Sequence, residues 1–281
     1  MTKKIIILFI FFSFNAIAQE KSISSGLHPN LGFTFSNKSN NGQDIGDLVW
    51  LITLQSNFNY KSDNFSFDSD LFINYGQIVK TSAYPVKTQD VFILDIMPSI
   101  KFSESPNLRL FLQSKAETQL KKGQLNGQET GFADPLFLTH TIFIGEKKYS
   151  FSTTNKQEFN LTYGVGYSFQ QIIKKNFVLQ DDSVQSSDDE LINGPTAVLK
   201  FNFSKQLSEN INISASLNSL FIFKNNFFKD NTNSRFSSLL VLSLDFKFIS
   251  ILYTNRLVYD KELAVRRQLG QSLVLGIKFD L

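Results

Sequence analysis

The sequence predicts an all-β chain: a transmembrane, antiparallel, up-and-down β-barrel of about 12 strands that follows a cleaved signal peptide. Three observations predict it. The N-terminus reads as an export leader. Apolar residues then recur at every second position over segments longer than ordinary strands. Beyond the leader, no apolar run approaches the roughly 18 residues that a membrane helix needs.

The leader occupies residues 1–18. Lys3 and Lys4 give a positive start, Ile5 to Phe12 an apolar middle, and Ala16-Ile17-Ala18 the small residues that signal peptidase reads. Gln19 is the expected mature start, and residues 19–281 form one barrel domain. The 281-residue chain has 30 Phe and no Cys, which excludes disulfide scaffolds, thiolate metal sites and Cys nucleophiles. Its formal charge of +3 is too small for nucleic-acid binding.

The strand period is clearest from Phe159, where Leu161, Tyr163, Val165, Tyr167 and Phe169 alternate with Asn160, Thr162, Gly164, Gly166, Ser168 and Gln170. Only a strand places such residues on opposite faces. The segments around 65–76, 211–223 and 269–281 behave alike. Twelve strands are expected, at 28–38, 47–60, 65–79, 90–103, 107–121, 134–146, 157–173, 194–206, 210–224, 234–248, 250–260 and 266–281. An apolar row this long is satisfied by lipid around a closed ring, which also leaves no unpaired sheet edge.

The connections separate into two kinds. Lys61 to Asn64, Ser103 to Pro106 and Leu207 to Glu209 are tight turns. Asn40 to Gly46, Thr81 to Gln89, Lys122 to Gly131, Lys175 to Asn193 and Asn225 to Asn233 are longer and polar. That asymmetry predicts short periplasmic turns and long external loops. The longest loop carries Asp181, Asp182, Asp188, Asp189 and Glu190 without the ligand spacing of a calcium loop, and reads as solvated. Aromatic residues fall in two bands of the outward row. Phe58, Tyr60, Phe65 and Phe67 lie near the turns, and Trp50, Tyr75, Phe223 and Phe236 toward the loops.

Phe132-Ala133-Asp134-Pro135 leading into Leu136 to Gly145, then Ala197 to Phe223, Leu239 to Phe248, Tyr259-Asp260 and the closing Leu269-Gly270 to Phe279, carry a resemblance. Here the chain resembles a Bacteroidota family of exported outer-membrane β-barrel proteins of unknown function. The resemblance lies mostly in the C-terminal part. It implies location and fold, and it brings no activity and no functional residues.

The inward row supplies the candidate site. Asp68, Asp70, Asp95, Lys101, Arg109, Lys115, Glu117, Lys200, Arg235, Asp245, Lys247 and Arg256 are expected to line the lumen, with signs mixed so that ion pairing is the default. Phe72, Met97, Phe111, Phe137 and Phe143 share that row and would constrict it. The expected function is therefore a small or gated pore for ions or small solutes. The alternatives are a closed structural or partner-binding barrel, and a lipid hydrolase on the outer wall using His140 with Ser114. No other constellation points to an enzyme, and no cofactor or metal site is expected. Outer-membrane lipid and the barrel-assembly machinery are the expected partners, with no nucleic acid and no oligomeric state specified.

Overall fold

The computed structural model describes residues 22–40, 43–80, 86–102, 107–120, 123–125, 128–130, 133–152, 156–173, 190–223, 234–260 and 268–278. The leader, the acidic residues Asp181, Asp182, Asp188 and Asp189, and the terminal Phe279 to Leu281 lie outside the described residues.

Alternating sequence gives strands β1 (Ser22–Asn40), β2 (Gln43–Lys61), β3 (Phe65–Lys80), β4 (Val86–Lys101) and β5 (Leu108–Thr118). A small hairpin of β6 (Gly123–Leu125) and β7 (Gln128–Thr130) follows, then β8 (Leu136–Ser152), β9 (Gln157–Ile173) and β10 (Glu190–Ser208). The chain continues through β11 (Ile211–Phe223), β12 (Ser234–Phe246), β13 (Ile249–Asp260) and β14 (Gln268–Lys278). All except β6 and β7 join in one closed antiparallel ring, in the order β1-β14-β13-β12-β11-β10-β9-β8-β5-β4-β3-β2. The expected twelve strands are present.

Several boundaries differ from the sequence reading. The loop expected at Asn40 to Gly46 is largely strand, because β1 and β2 stay paired up to Asn40↔Gln43. The loop expected at Lys122 to Gly131 contains the β6–β7 hairpin. Strand β8 runs six residues past the predicted Glu146, and β10 begins four before Gly194.

The apolar row faces outward. Tyr163 and Tyr167 are exposed, and Val165 between them is 70% exposed. Cross-strand aromatic pairs occur in both predicted bands, with Phe58–Phe67 at 6.1 Å near the turns and Trp50–Tyr75 at 5.6 Å toward the loops. Polar groups on the outer surface mark the same two levels. Toward the loops, the Tyr75 hydroxyl accepts from Gln77 at 2.7 Å, Tyr167 donates to Asn193 at 3.0 Å, and Tyr253 accepts from Asn255 and Gln271 at 3.2 Å each. Toward the turns, Tyr163 donates to Glu146 at 2.6 Å and Lys148 lies 5.7 Å over the Tyr163 ring. An apolar belt between two such rims is what a barrel in hydrocarbon requires.

The tight turns hold the near end of the wall together. Ser62 bonds Phe65 through both backbone and hydroxyl. At the opposite end, the residues entering β8 are strapped to the end of β5: Thr118 Oγ1 donates to the Pro135 carbonyl at 2.8 Å, and Ala133 N to the Gln119 carbonyl at 3.1 Å.

Candidate functional site

Twelve strands about 4.8 Å apart, tilted by about 40°, would form a round ring about 24 Å across, too wide for opposing side chains to touch. Yet they do touch. Strands β5 and β13 stand six places apart in the ring, and Arg256 of β13 hydrogen-bonds Glu117 of β5 directly. The ring is therefore flattened, with one stretch of wall pressed toward the other.

The charges meet across the lumen. Strands β3, β4 and β5 carry Asp68, Asp70, Asp95 and Glu117 together with Arg109 and Lys115, and β8, β10 and β13 bring further cations. Lys200 of β10 reaches Asp70 at 2.9 Å and Asp95 at 3.0 Å. Lys147 of β8 binds both Asp68 oxygens at 2.7 Å. Asp95, 1% exposed, also accepts from Gln113 at 2.8 Å and from Asn218 of β11 at 2.8 Å. Three donors around a buried carboxylate, with Gln113 reaching both oxygens, satisfy its lone pairs, which is the condition for keeping it charged away from water. Beside these, Lys115 pairs with Glu117 at 3.2 Å, and the Arg109 Nε donates to Ser99 at 2.9 Å. Arg235 is buried with its guanidinium 4.8 Å over the Phe137 ring.

Three predicted residues stand apart from this network. Asp245 sits toward the turns, accepting from Ser243 at 2.6 Å and Ser250 at 2.7 Å. Lys101 lies at the end of β4 opposite Arg109, with no ionic partner among the described residues. Lys247 does not line the lumen. It is exposed in the β12–β13 turn with φ 49°, because the chain reverses there and the alternation of β12 stops at Phe246.

Aromatic side chains fill the space between the charges. Phe111 and Phe143 stack with centroids 4.5 Å apart and planes 4° from parallel, and Phe111 is fully buried. Met97, Ile172, Ile192, Val198, Leu220 and Ile222 complete this cluster. It depends on two glycines. A Cβ at Gly166 would stand 2.0 Å from the Ile142 carbonyl oxygen and 2.5 Å from Phe143 Cα, and one at Gly164 would stand 2.7 Å from the Phe143 ring. Without side chains there, β9 lets the ring lie flat against the wall.

Below the crossing ion pairs, a cavity of about 550 Å³ extends from Lys156, Gln206 and Asn212 at the turns up to Asp70, Asp95, Lys200 and Asn218. Its walls mix amides and hydroxyls from β1, β2 and β9 to β13 with apolar side chains such as Phe72, Ile93, Val241 and Leu252. Within it, Asn30 Oδ1, Thr53 Oγ1, Gln55 Nε2, Asn57 Oδ1 and Asn160 Oδ1 have no hydrogen-bond partner among the described residues. Buried polar groups are ordinarily satisfied, so these are positions for water or solute.

The sequence reading missed Lys147, Asn218 and the amide-lined cavity. Lys147 continues the row Thr139, Thr141, Phe143, Gly145, and an end of strand placed at Glu146 hid it. Uncharged amides give no signal in a search for charge.

On the outer wall, Ser114 Oγ lies 3.0 Å from His140 Nδ1, the pair expected there. The neighbouring outward residues are Ala116, Leu138, Ile142 and Phe169. None of these supplies a carboxylate to orient the imidazole.

Among solved structures, the translocator domain of the autotransporter NalP from Neisseria meningitidis is 11% identical, covers 95% of this chain and 90% of its own, and has a TM-score of 0.36. An outer membrane channel from Pseudomonas putida F1 is 8% identical over 94% of this chain and 95% of its own, with a TM-score of 0.37. The β domain of the Bordetella autotransporter BrkA is 9% identical over 92% and 99%, with a TM-score of 0.31. At these scores the fold rests on this chain's own hydrogen-bonded ring. No curated protein matches the chain. Residues 33–123 match a family described as a protein of unknown function (DUF3078), a stretch separate from the C-terminal segments that carry the family resemblance.

Proposed function

We propose that the chain is exported by its N-terminal leader to the outer membrane, where it forms a gated pore for small polar solutes. One observation carries this reading: Lys200 and Arg256 cross the lumen to Asp70, Asp95 and Glu117, closing it with bonds between opposite walls. The ring's own ladders hold a barrel together, and apolar packing would close a lumen as stably as buried ion pairs do. Ion pairs differ in that water and ions can replace each partner when the walls separate. The amide-lined cavity beneath them gives polar solute a place to stand.

Planar-bilayer recording tests the proposal. Wild type is expected to stay closed with rare openings, and Lys200→Met combined with Phe111→Ala to open far more often. Silence from both proteins at every voltage would leave the closed structural barrel as the function.

The Ser114–His140 hydrogen bond favours a second reading, a lipid ester hydrolase on the outer wall. The backbone N–H groups around it are committed to the strand ladder, which leaves the oxyanion of an acyl intermediate without donors. Release of fatty acid by wild type, lost in His140→Ala, would establish this reading.

A further inference from the structure

The ring is not equally sealed all the way round. Strand β1 pairs with β2 along its whole length, from Ser22↔Lys61 to Asn40↔Gln43. With β14, among the described residues, it pairs only at Asn30↔Lys278, Leu31↔Ile277 and Gly32↔Gly276. Continued in register, that ladder would join Phe33 to Leu275 and run on to Asn40 and Gln268. Among the described residues, none of those positions is paired across the seam. Strands β4 and β5, the next shortest ladder, pair from Phe92↔Thr118 to Lys101↔Arg109.

The lower end of the open stretch lies within the apolar belt, and its upper end passes the rim at Gln271. Phe33, Leu273 and Leu275 beside it are all exposed on the outer surface. Unpaired backbone at that depth is costly, so the stretch is a place where the wall can part and rejoin. Behind it, Val274 Cγ1 occupies the space beside Gly32 that a Cβ would need, 1.9 Å from the ideal position. Val274 belongs to an apolar patch inside the lumen with Leu51, Phe72, Ile93, Val241 and Leu252. Four of these, Phe72, Ile93, Val241 and Leu252, also line the polar cavity.

At the foot of the seam, Asn30 and Thr53 face each other across the β1–β2 ladder. Both are more than nine-tenths buried, and Asn30 Oδ1 and Thr53 Oγ1 have no partner among the described residues. Gln55 Nε2 and Asn57 Oδ1 add a donor and an acceptor below them. A hydroxyl-bearing head group satisfies donors and acceptors together. The path thus runs from hydrocarbon, through an unpaired seam, over an apolar patch, to an uncharged polar site.

We propose that the β1–β14 seam is a lateral portal, through which a single-chain amphipath with an uncharged hydroxyl head group passes between the bilayer and the lumen. The head rests on Asn30, Thr53, Gln55 and Asn57, and the tail on Leu51, Leu252 and Val274. This rests on the membrane placement argued above and adds side entry to the pore reading.

The native chain has no Cys, so the seam can be locked by a unique disulfide between Phe33→Cys and Leu275→Cys. Full-length protein in phosphatidylcholine vesicles is illuminated with 1-monododecanoylglycerol carrying a diazirine in its acyl chain, and labelled residues are mapped. With the seam reduced, lumen residues such as Leu51 and Leu252 are labelled. With it oxidised, their labelling falls to background while the outward Ile52 and Leu273 stay labelled. A disulfide between Leu31→Cys and Ile277→Cys, where the strands are already paired, leaves labelling unchanged. Thr53→Val reduces lumen labelling about three- to ten-fold, the worth of one hydrogen bond.

Lumen labelling that survives locking, or never occurs, overturns the portal. So does efficient disulfide dimerisation of Leu275→Cys alone, which would make the seam an edge for a second copy. Labelling does not require the crossing ion pairs to open, so a barrel silent in conductance can still show a portal. Protein that fails to float with the vesicles would instead sink the membrane reading itself.

Discussion

Between β3 and β8 the inward row reads Ser66, Asp68, Asp95, Met97, Arg109, Phe111, Gln113, Thr141 and Phe143, nearly all of it buried. On the other side, the row facing the cavity reads Asn57, Asn59, Asn202, Ser204, Ser214 and Ser216. Both sectors belong to one ring, share one period and are backed by the same apolar exterior. They differ in what opposes them. The first is pressed against Lys200 and the aliphatic side chains Val198, Leu220 and Ile222 of the facing strands, and the second faces open volume. The contrast teaches that the lumen is two environments, a packed sector that holds the cross-section flat and a hollow sector that leaves a cavity.

Substitutions in the two sectors should therefore differ in cost. The largest expected effect is at Gly166→Val, where the new side chain collides with backbone of β8. No heat-modifiable barrel band should form on electrophoresis. Gly26→Ala in the hollow sector meets only the side-chain ends of Asn57 and His28, and should assemble. Next comes Lys200→Met, which leaves Asp95 buried without its cation and should cost about 3–5 kcal/mol. It would be read as a lower temperature for loss of the folded band, and Asp70→Asn with Asp95→Asn in the same chain should restore part of the loss.

Phe111→Ala removes half of the ring stack and should cost about 3 kcal/mol, by the same assay. The smallest pair sharpens the contrast most. Gln113→Ala deprives Asp95 of a donor and should cost about 1–2 kcal/mol, whereas Asn57→Ala in the hollow sector should stay within about 0.5 kcal/mol. Equal costs at Gln113 and Asn57 would mean that the two sectors are one.

The ring and its sidedness were legible because alternation is local: Tyr163, Val165 and Tyr167 declare their face within five residues. The crossing partners were not. Lys200 and Asp95 are 105 residues apart, and which of many inward charges meet depends on how the ring flattens. The misplacement of Lys247 has a local cause, since a strand assumed to run to Phe248 carried its alternation through a turn. The short β1–β14 seam follows from where the first and last strands overlap, a property of closure that no single segment encodes.

The hydroxyls and amides around the outside of the barrel have a mechanical corollary. Tyr75, Tyr167 and Tyr253 anchor one rim, and Tyr163 with Glu146 and Lys148 anchors the other. In a bilayer, sliding the molecule along the normal would drag one of these rims into oil, so the proposed pore would keep a fixed draught. On that reading its opening would be a change in roundness within the membrane plane, and its conductance would respond to lateral tension.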